Sequence, residues 1–375
     1  MKNNVLKFFV RFLCLPLLLW SCGGDSEAST ELANLAIQVN LQGESSDSPN
    51  GDGSGDVSFT ITASNAVSYA FRVVGEERVE NETGVFEHQF DFDGLHTYEV
   101  YYWAYSETGE FLEGTENIEV YKTPAIYREL VFEDDFNYDG PVASEKWHHQ
   151  VIPPNNNSWF NGERQHYTDR TDNSIVSEGT LKIVAKKETY SFNGSTKFYT
   201  SARLNSKFAF QYGRVDVRAK LPSGGGTWPA IWTLGANIGE TGNYFGSNSQ
   251  YGSVGWPRCG EIDIMEQTGD EKTRVLGTLH WANASNGNHA QAGGAKIVSD
   301  VDENFHVYSM VWSTQRIQIL FDDRVFYTLN NNSNVPFDNP HFLLLNIAVG
   351  GTLGGQIPTN FPDQTMEIDY VRIYQ

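Results

Sequence analysis

The strongest chemical signal in the sequence is a group of three acidic residues, Glu261, Asp263 and Glu266, separated by apolar residues. Alternation of polar and apolar residues is typical of a β-strand, in which side chains two positions apart point to the same face. Glu261 and Asp263 therefore share a face, whereas Glu266 has the opposite parity. A β-bulge at Ile264–Met265 adds one residue and returns Glu266 to the face of the other two carboxylates.

Crowding three carboxylates on one face is electrostatically unfavourable, so fold stability alone does not explain it. Because like charges drive pKa values apart, such a group can supply one ionised nucleophile and one protonated acid near neutral pH. Retaining glycoside hydrolysis requires this pair, with the two carboxyl groups about 5–5.5 Å apart. The alternatives are a solvated acidic strand and a calcium loop, but calcium ligands come more often from a turn than from a strand that alternates with Ile and Met.

Charge and composition narrow the class of ligand. The chain has 375 residues with 47 acidic and 26 basic side chains, a formal net charge of −21. Such a polyanion repels phosphate backbones and anionic lipid headgroups, which argues against nucleic acid and peripheral membrane binding. Sulfated and uronate polymers are disfavoured for the same reason, so neutral ligands remain. The supply of 50 aromatic residues and 35 glycines suits an all-β protein with surfaces on which sugars stack.

The first residues of the chain predict export. A basic start, an apolar stretch over residues 12–19 that is too short for a permanent membrane span, and the pair Ser21-Cys22 resemble a bacterial lipoprotein signal. We therefore expect residues 1–21 to be removed, Cys22 to carry lipid and residues 22–32 to form a flexible tether. The mature protein is then an exported, membrane-anchored lipoprotein, with the cell surface as one location, and its membrane contact is the lipid alone. An ordinary signal peptide with an incidental cysteine is the alternative.

Two β-rich regions follow the tether. Residues 33–122 contain short β-like runs between turn residues and no helical period, which predicts a small β-sandwich. This region resembles PKD and immunoglobulin-like modules, and because it carries no constellation of site residues, a spacer is favoured over a carbohydrate-binding module. Thr123-Pro124 marks the boundary. Residues 124–375 alternate strands with turns rich in Gly and Asn, which predicts an all-β catalytic domain, a concanavalin-like jelly roll of two sheets.

Residues 130–375 resemble glycoside hydrolase family 16, and within it the laminarinase-like β-glucanases. The motifs that carry the resemblance are Asn161–Tyr167 (NGERQHY), Gly226–Trp232 (GTWPAIW), Trp256–Glu266 (WPRCGEIDIME) and Gly277–Trp281 (GTLHW). The resemblance implies that Glu261 is the nucleophile, Glu266 the general acid/base, and Asp263 the carboxyl group that tunes the nucleophile.

Residues that contact the substrate are expected on both sides of this cluster. Trp228 and Trp232 are four positions apart, so on a strand both side chains share one face and offer a platform for sugar stacking; ordinary core tryptophans are the alternative. The resemblance implies four further substrate-binding residues: Asn161, Arg203, Trp256 and His280. Asn161 and Arg203 would donate hydrogen bonds to sugar hydroxyls, and His280 would lie near the leaving group.

The sequence predicts no catalytic metal or cofactor, because its nine histidines are dispersed apart from one adjacent pair. Many members of the resembled family carry a structural calcium on the convex face of the sandwich. The matching positions are Glu133 and Gly179, through backbone carbonyls, and Asp369, through its carboxylate. Oxygen ligands suit calcium. Surface polar residues without a metal are the alternative.

One departure from the family pattern concerns the substrate. Many laminarinases have a tryptophan soon after a Gly-Gly pair near the C-terminus, where this chain reads GGTLGG over residues 350–355.

We predict a monomeric, endo-acting, retaining β-glucan hydrolase that cleaves β-1,3-glucan (laminarin) or mixed-linkage β-1,3/1,4-glucan by double displacement. The alternatives are a galactan hydrolase of the same family and a non-catalytic surface glycan-binding protein, which would have no reason to keep three crowded carboxylates.

Overall fold

The computed structural model describes residues 31–45, 48–123, 127, 129–246, 249–335 and 337–375. The predicted signal peptide, the lipidation site Cys22 and the tether up to residue 30 lie outside the described residues, as does Pro124 of the predicted boundary. Strands dominate the described chain, as the sequence predicts, and its one α-helix, α1 (Gly351–Gly354), is a single turn. Within these ranges, no helix has the length and apolar character that a membrane span requires.

The N-terminal region folds into two small antiparallel sheets. Its strands are β1 (Ala33–Leu41), β2 (Asp56–Ser64), β3 (Ser68–Val73), β4 (Val79–Asn81), β5 (Val85–Gln89), β6 (Gly94–Tyr105) and β7 (Phe111–Lys122). One sheet has the order β1-β2-β5 and the other β4-β3-β6-β7. Alternate side chains of both sheets meet in one hydrophobic core, in which the Phe71 ring lies 4.4 Å from Phe59 and 5.6 Å from Phe86. This arrangement is the predicted small β-sandwich.

The larger region contains all the other strands. They are β8 (Leu130–Asp134), β9 (Trp147–His149), β10 (Gln165–Tyr167), β11 (Ser174–Ser177), β12 (Thr180–Phe192), β13 (Ser195–Ser201), β14 (Arg203–Phe210), β15 (Gly213–Lys220), β16 (Thr227–Gly235), β17 (Glu261–Gln267), β18 (Arg274–Ala282), β19 (His289–Ile297), β20 (His306–Trp312), β21 (Arg316–Phe321), β22 (Arg324–Asn330), β23 (His341–Val349) and β24 (Gln364–Tyr374). A ten-stranded sheet has the order β10-β13-β12-β24-β15-β20-β21-β22, with β11 paired to β12 and β8 to β24. A seven-stranded sheet has the order β19-β18-β17-β16-β23-β14-β9.

The two large sheets enclose the main hydrophobic core, and β23 shows how the seven-stranded sheet is covered on both faces. Every residue of β23 is buried. Leu343 and Leu345 point into the main core, whereas Phe342 belongs to a second apolar cluster on the opposite face. The chain that follows β16 supplies this cover, and its Phe245 ring lies 4.9 Å from that of Phe342. Burying one such side chain stabilises the fold by about 1.5–3 kcal/mol, so Phe245 anchors this segment beside the sheet.

Candidate active site

A cavity of about 470 Å³ lies on the face of the seven-stranded sheet that is turned away from the main core. Strands β14, β16, β17 and β23 contribute to its lining, together with the loops that precede β10 and β17. Eight of the nine predicted catalytic and substrate-binding residues line it: Asn161, Arg203, Trp228, Trp232, Trp256, Glu261, Asp263 and Glu266. The ninth, His280 on β18, contacts the cluster through Nε2, which lies 3.3 Å from Asp263 Oδ2.

The predicted bulge is present in β17. The partners of Asp263 and Glu266 on β18 are only two positions apart, so Ile264 and Met265 stand together opposite Gly277. Both bulged side chains are buried in the main core. A glycine is required opposite them because a Cβ at Gly277 would lie 2.8 Å from a side chain of β21 in the facing sheet. The extra residue turns Glu266 to the cavity, on the same face as Asp263.

Two tryptophans hold the outer carboxylates of the cluster. Trp256 Nε1 donates a hydrogen bond to Glu261 Oε2 at 3.1 Å, and Trp228 Nε1 donates one to Glu266 Oε1 at 2.9 Å. An indole N–H is a donor only, so each carboxylate oxygen is fixed as an acceptor. Both tryptophans, which the sequence predicts as substrate-binding residues, therefore also orient the predicted nucleophile and acid/base.

Burial raises the pKa of all three carboxyl groups. For Asp263, burial is the largest cause and the nearby Glu266 adds to it. Burial also raises the pKa of Glu266, an effect that the indole hydrogen bond opposes. For Glu261, burial and Asp263 raise the pKa, while His280 and Arg203 oppose the increase. The cluster thus retains protons to higher pH than free carboxyl groups do, although His280 opposes the increase in pKa at both Glu261 and Glu266.

Arg203 lines the cavity among aromatic rings and an acidic side chain. Its guanidinium lies 4.8 Å from the centroid of the Trp232 ring and 5.7 Å from that of Trp159, and its Nη2 is 3.5 Å from Glu240 Oε1. The side chain is almost fully buried, and its Nε has no hydrogen-bond partner among the described residues. An unpaired buried N–H is costly, so this fold holds Arg203 in the cavity wall at the expense of one unsatisfied donor.

A chain of buried hydrogen bonds fixes Trp232. Its Nε1 donates to Asn346 Oδ1 at 2.7 Å, Asn346 Nδ2 donates to the Tyr167 hydroxyl at 3.2 Å, and that hydroxyl donates to Glu163 Oε2 at 3.0 Å. Burial raises the pKa of Glu163, with Arg203 opposing. Because each donor and acceptor is paired, the orientation of the Trp232 ring is set before substrate arrives.

Four further residues that line the cavity are not predicted from the sequence: Phe160, Glu163, Glu240 and Asn346. Glu163 is the one acidic residue of the Asn161–Tyr167 motif, and this is a signal by which the sequence could identify it. The sequence carries no such signal for Glu240 and Asn346. Glu240 meets Arg203 only through the path of the chain after β16. Asn346 meets Trp232 only because β16 pairs with β23. Phe160 is 47% exposed beside Asn161 and adds an aromatic surface to the cavity.

The predicted calcium ligands lie where β24 changes its partner. β24 pairs first with β12 and then with β8, and Asp369 falls in the gap between the two registers. Gly179 immediately precedes β12, and Glu133 lies on β8. All three of these ligand atoms are oxygens, the type that calcium prefers. Cationic side chains already contact two of them: Lys146 Nζ donates to the Glu133 carbonyl oxygen at 2.7 Å, and Arg218 Nη1 to Asp369 Oδ2 at 2.8 Å.

A jelly-roll sheet that presents paired, buried carboxylates in a tryptophan-lined cavity defines the chain as a glycoside hydrolase. Residues 161–372 match the model of Glycosyl hydrolases family 16. The chain belongs to this family, and the predicted class of enzyme is confirmed. The N-terminal β-sandwich lies outside the matched residues.

Relatives of known activity support the same assignment. The beta-glucanase of Rhodothermus marinus is 40% identical over 266 residues, which cover 67% of this chain and 86% of the relative. The glucan endo-1,3-beta-glucosidase A1 of Niallia circulans is 35% identical over 274 residues, which cover 66% of this chain and 38% of that longer protein. A solved LamA variant from Zobellia galactanivorans, in complex with laminaritriose and laminaritetraose, is 58% identical with a TM-score of 0.65, and the match covers 66% of this chain and 100% of the other.

Proposed function

We propose that this chain is an endo-acting, retaining β-glucan hydrolase that cleaves β-1,3-glucan or mixed-linkage β-1,3/1,4-glucan. The observation that carries the proposal is the bulge in β17, which turns Glu266 to the face of the cavity that Glu261 already occupies, where each carboxylate accepts a hydrogen bond from its own indole N–H. The relatives from Rhodothermus marinus and Niallia circulans are named as glucanases, and one solved relative holds laminari-oligosaccharides. A neutral polymer also suits a chain with a net charge of −21.

The reaction proceeds in two displacements. Glu261 attacks the anomeric carbon while Glu266 gives its proton to the glycosidic oxygen, so the C–O bond breaks and the leaving chain departs as an alcohol. The glycosyl–Glu261 ester that forms has inverted configuration. Glu266, now ionised, removes a proton from water as that water attacks the ester. The second inversion restores the β configuration and returns the proton to Glu266.

Asp263 sets the number of protons in the cluster. It lies between the two working carboxyl groups along β17, and both burial and Glu266 raise its pKa. A proton held on Asp263 removes one negative charge from the cluster, so Glu261 can ionise beside His280 and Arg203. In this way one buried cluster supplies an anionic nucleophile and a protonated acid at the same pH.

Release of reducing ends from laminarin, mixed-linkage β-glucan and agarose tests the proposed function. We expect hydrolysis of one or both glucans, early shortening of the polymer because action is endo, and the β-anomer as the first product in a proton NMR time course. Cleavage of agarose alone would indicate the galactan hydrolase. Binding of glucan without hydrolysis would indicate the non-catalytic protein.

We also propose that the enzyme is a monomeric lipoprotein anchored through Cys22, with residues 33–122 as a PKD- or Ig-like spacer and residues 124–375 as the catalytic domain. The sequence pattern of the first residues supports the anchor. Cys22→Ala is expected to move the protein from the membrane fraction to the soluble fraction of expressing cells without loss of specific activity. Cys259→Ala is the matched control and should leave the membrane fraction unchanged. Membrane partition that persists in Cys22→Ala would contradict the anchor.

We further propose that calcium binds at the junction of β24, β12 and β8, with Lys146 displaced from the Glu133 carbonyl oxygen. Binding to the folded state alone raises stability by about 2.7 kcal/mol at 100 times the dissociation constant, so Tm in calcium chloride should exceed Tm in EDTA by several degrees. Magnesium chloride is the control for ionic strength. Lys146→Met removes the competing ammonium group and should increase the rise. Equal Tm values in calcium and EDTA would overturn this proposal.

A further inference from the structure

An imidazole that no motif identifies, that of His289, lies beside the carboxylate cluster. It begins β19, and its Nε2 lies 3.0 Å from His280 Nδ1. The two imidazole rings stack with centroids 5.2 Å apart, and the His289 ring also packs against Trp256 at 4.7 Å. His289 thus contacts both residues whose N–H groups face Glu261 and Asp263, although its own side chain is exposed.

The two ring nitrogens of His280 have different surroundings. Nε2 lies 3.3 Å from Asp263 Oδ2 and 3.8 Å from Glu261 Oε1. A proton on Nε2 is attracted to these oxygens, whereas a lone pair there would be repelled. Because a neutral imidazole carries one N–H, Nδ1 is then an acceptor and needs a donor. The Nε2–H of His289 is placed to supply it.

We infer that His289 is a positioning residue for the catalytic site: it donates its Nε2–H to His280 Nδ1 and so holds the Nε2–H of His280 toward Asp263 and Glu261. The inference rests on the proposed function, since it gives His289 a part in the same hydrolysis. Without this donor, His280 can adopt the other tautomer or rotate, and its lone pair then faces the carboxylates. His289 does not line the cavity, so the loss falls on kcat rather than on KM.

Charged groups on neighbouring segments surround the imidazole pair. His280 faces Glu261 and Asp263 of β17. Arg258 approaches the turn before β19, where its Nη2 lies 3.5 Å from the position that a Cβ would take at Gly287. Burial and the adjacent His280 lower the pKa of His289. A lower pKa favours the neutral imidazole of His289, whose single N–H can stand on Nε2 toward His280 Nδ1.

Two variants separate the donor from the ring. His289→Phe keeps a ring against Trp256 but cannot donate, and its kcat on laminarin should fall about tenfold or more, as expected when a catalytic imidazole loses its orienting partner. His289→Gln keeps an amide donor and should retain kcat within about threefold. KM and Tm should match the wild type in both. His96→Phe, an exposed histidine of the N-terminal sandwich, is the control and should leave kcat unchanged.

The pattern of losses decides the inference. A His289→Phe enzyme with wild-type kcat would overturn it, as would equal losses in the Phe and Gln variants, which would assign the effect to ring packing. In either case an active wild-type enzyme, assayed in parallel on laminarin, leaves the proposed function standing. A folded wild-type enzyme that is inactive on every β-glucan would overturn both.

Discussion

Glu261→Ala is expected to lower kcat on β-glucan by about 10⁴-fold or more, because removal of a catalytic nucleophile leaves only the binding and acid contributions. Glu261 lies where Trp256 Nε1 can hold one carboxylate oxygen, 3.1 Å away, while the other oxygen is free for attack. Alanine leaves a space at this position and removes one negative charge from the cluster. Initial rates on laminarin, with the fold checked by circular dichroism, measure the effect.

Azide distinguishes loss of the nucleophile from general damage. In Glu261→Ala, azide can enter the vacated space and attack the anomeric carbon while Glu266 still protonates the leaving oxygen. One displacement then replaces two, so the product should be an α-glycosyl azide, of configuration opposite to that of the substrate. Glu266→Ala is the matched control, since azide there should act in the second step and give a β-glycosyl azide. An α-anomer as the first product of the wild-type enzyme would falsify the retaining assignment.

Ionisation of the buried Glu261 carboxyl group lowers the stability of the folded protein. Burial and Asp263 raise the folded-state pKa of Glu261 above its unfolded value, so deprotonation on raising the pH penalises the folded state. The penalty is absent below the unfolded pKa and complete above the folded one. Glu261→Gln should therefore be inactive yet melt higher than wild type at pH 7, by about 2–4 °C for a gain of ~1 kcal/mol. The difference should vanish as the pH approaches 4, which a series of melts can check.

The features that the sequence predicts well are those governed by local parity. Carboxylates at positions 261, 263 and 266 of one strand can share a face only if the strand contains an extra residue between the last two, and the bulge at Ile264–Met265 follows from that requirement. The spacing of Trp228 and Trp232 similarly puts both side chains on the cavity face of β16. Fold class follows from the same alternation repeated along the chain.

The features that sequence reasoning missed depend on contacts between distant segments. Asn346 orients Trp232 because β23 pairs with β16, and His289 reaches His280 because β19 lies beside β18. No local sequence pattern specifies which strands will be neighbours in a sheet. Glu240 meets Arg203 only through the path of the chain after β16. The positions that hold the catalytic groups are predictable, whereas the residues that orient them emerge only when the sheet is assembled.

Insertion of one alanine between Asp263 and Ile264 is expected to lower kcat on laminarin by about 10²–10⁴-fold, the usual value of a general acid/base. Residues on both sides of the bulge are held by pairs with β16 and β18, so the strand cannot absorb a second extra residue by sliding. Parity then turns Glu266 toward the main core, where an unpaired carboxylate is costly, or forces a second irregularity. The first result removes the acid from the cavity, and the second displaces it from the position beside Trp228 Nε1 in which it accepts a hydrogen bond.

Deletion of Met265 is the matched control for the insertion. It removes the bulge, leaves the flanking pairs in register, and gives a regular strand in which Glu261, Asp263 and Glu266 still share one face. Because the Met265 side chain is fully buried, the deletion should cost about 2–5 kcal/mol of stability. It should nevertheless retain far more activity than the insertion, provided that assays are run below its lowered Tm.

An activated substrate shows whether the insertion acts through Glu266. An aryl β-glucoside oligomer with a good leaving group needs little protonation, so both the insertion and Glu266→Ala should lose less activity on it than on laminarin. Misfolding, or displacement of Glu261, would instead reduce both activities equally. Equal losses on the two substrates, in a variant whose melt remains cooperative, would show that the bulge positions more than the general acid. A smaller loss on the aryl substrate is the expected result. Glu261 and its partner Trp256 precede the inserted residue, so the insertion should leave the nucleophile in place.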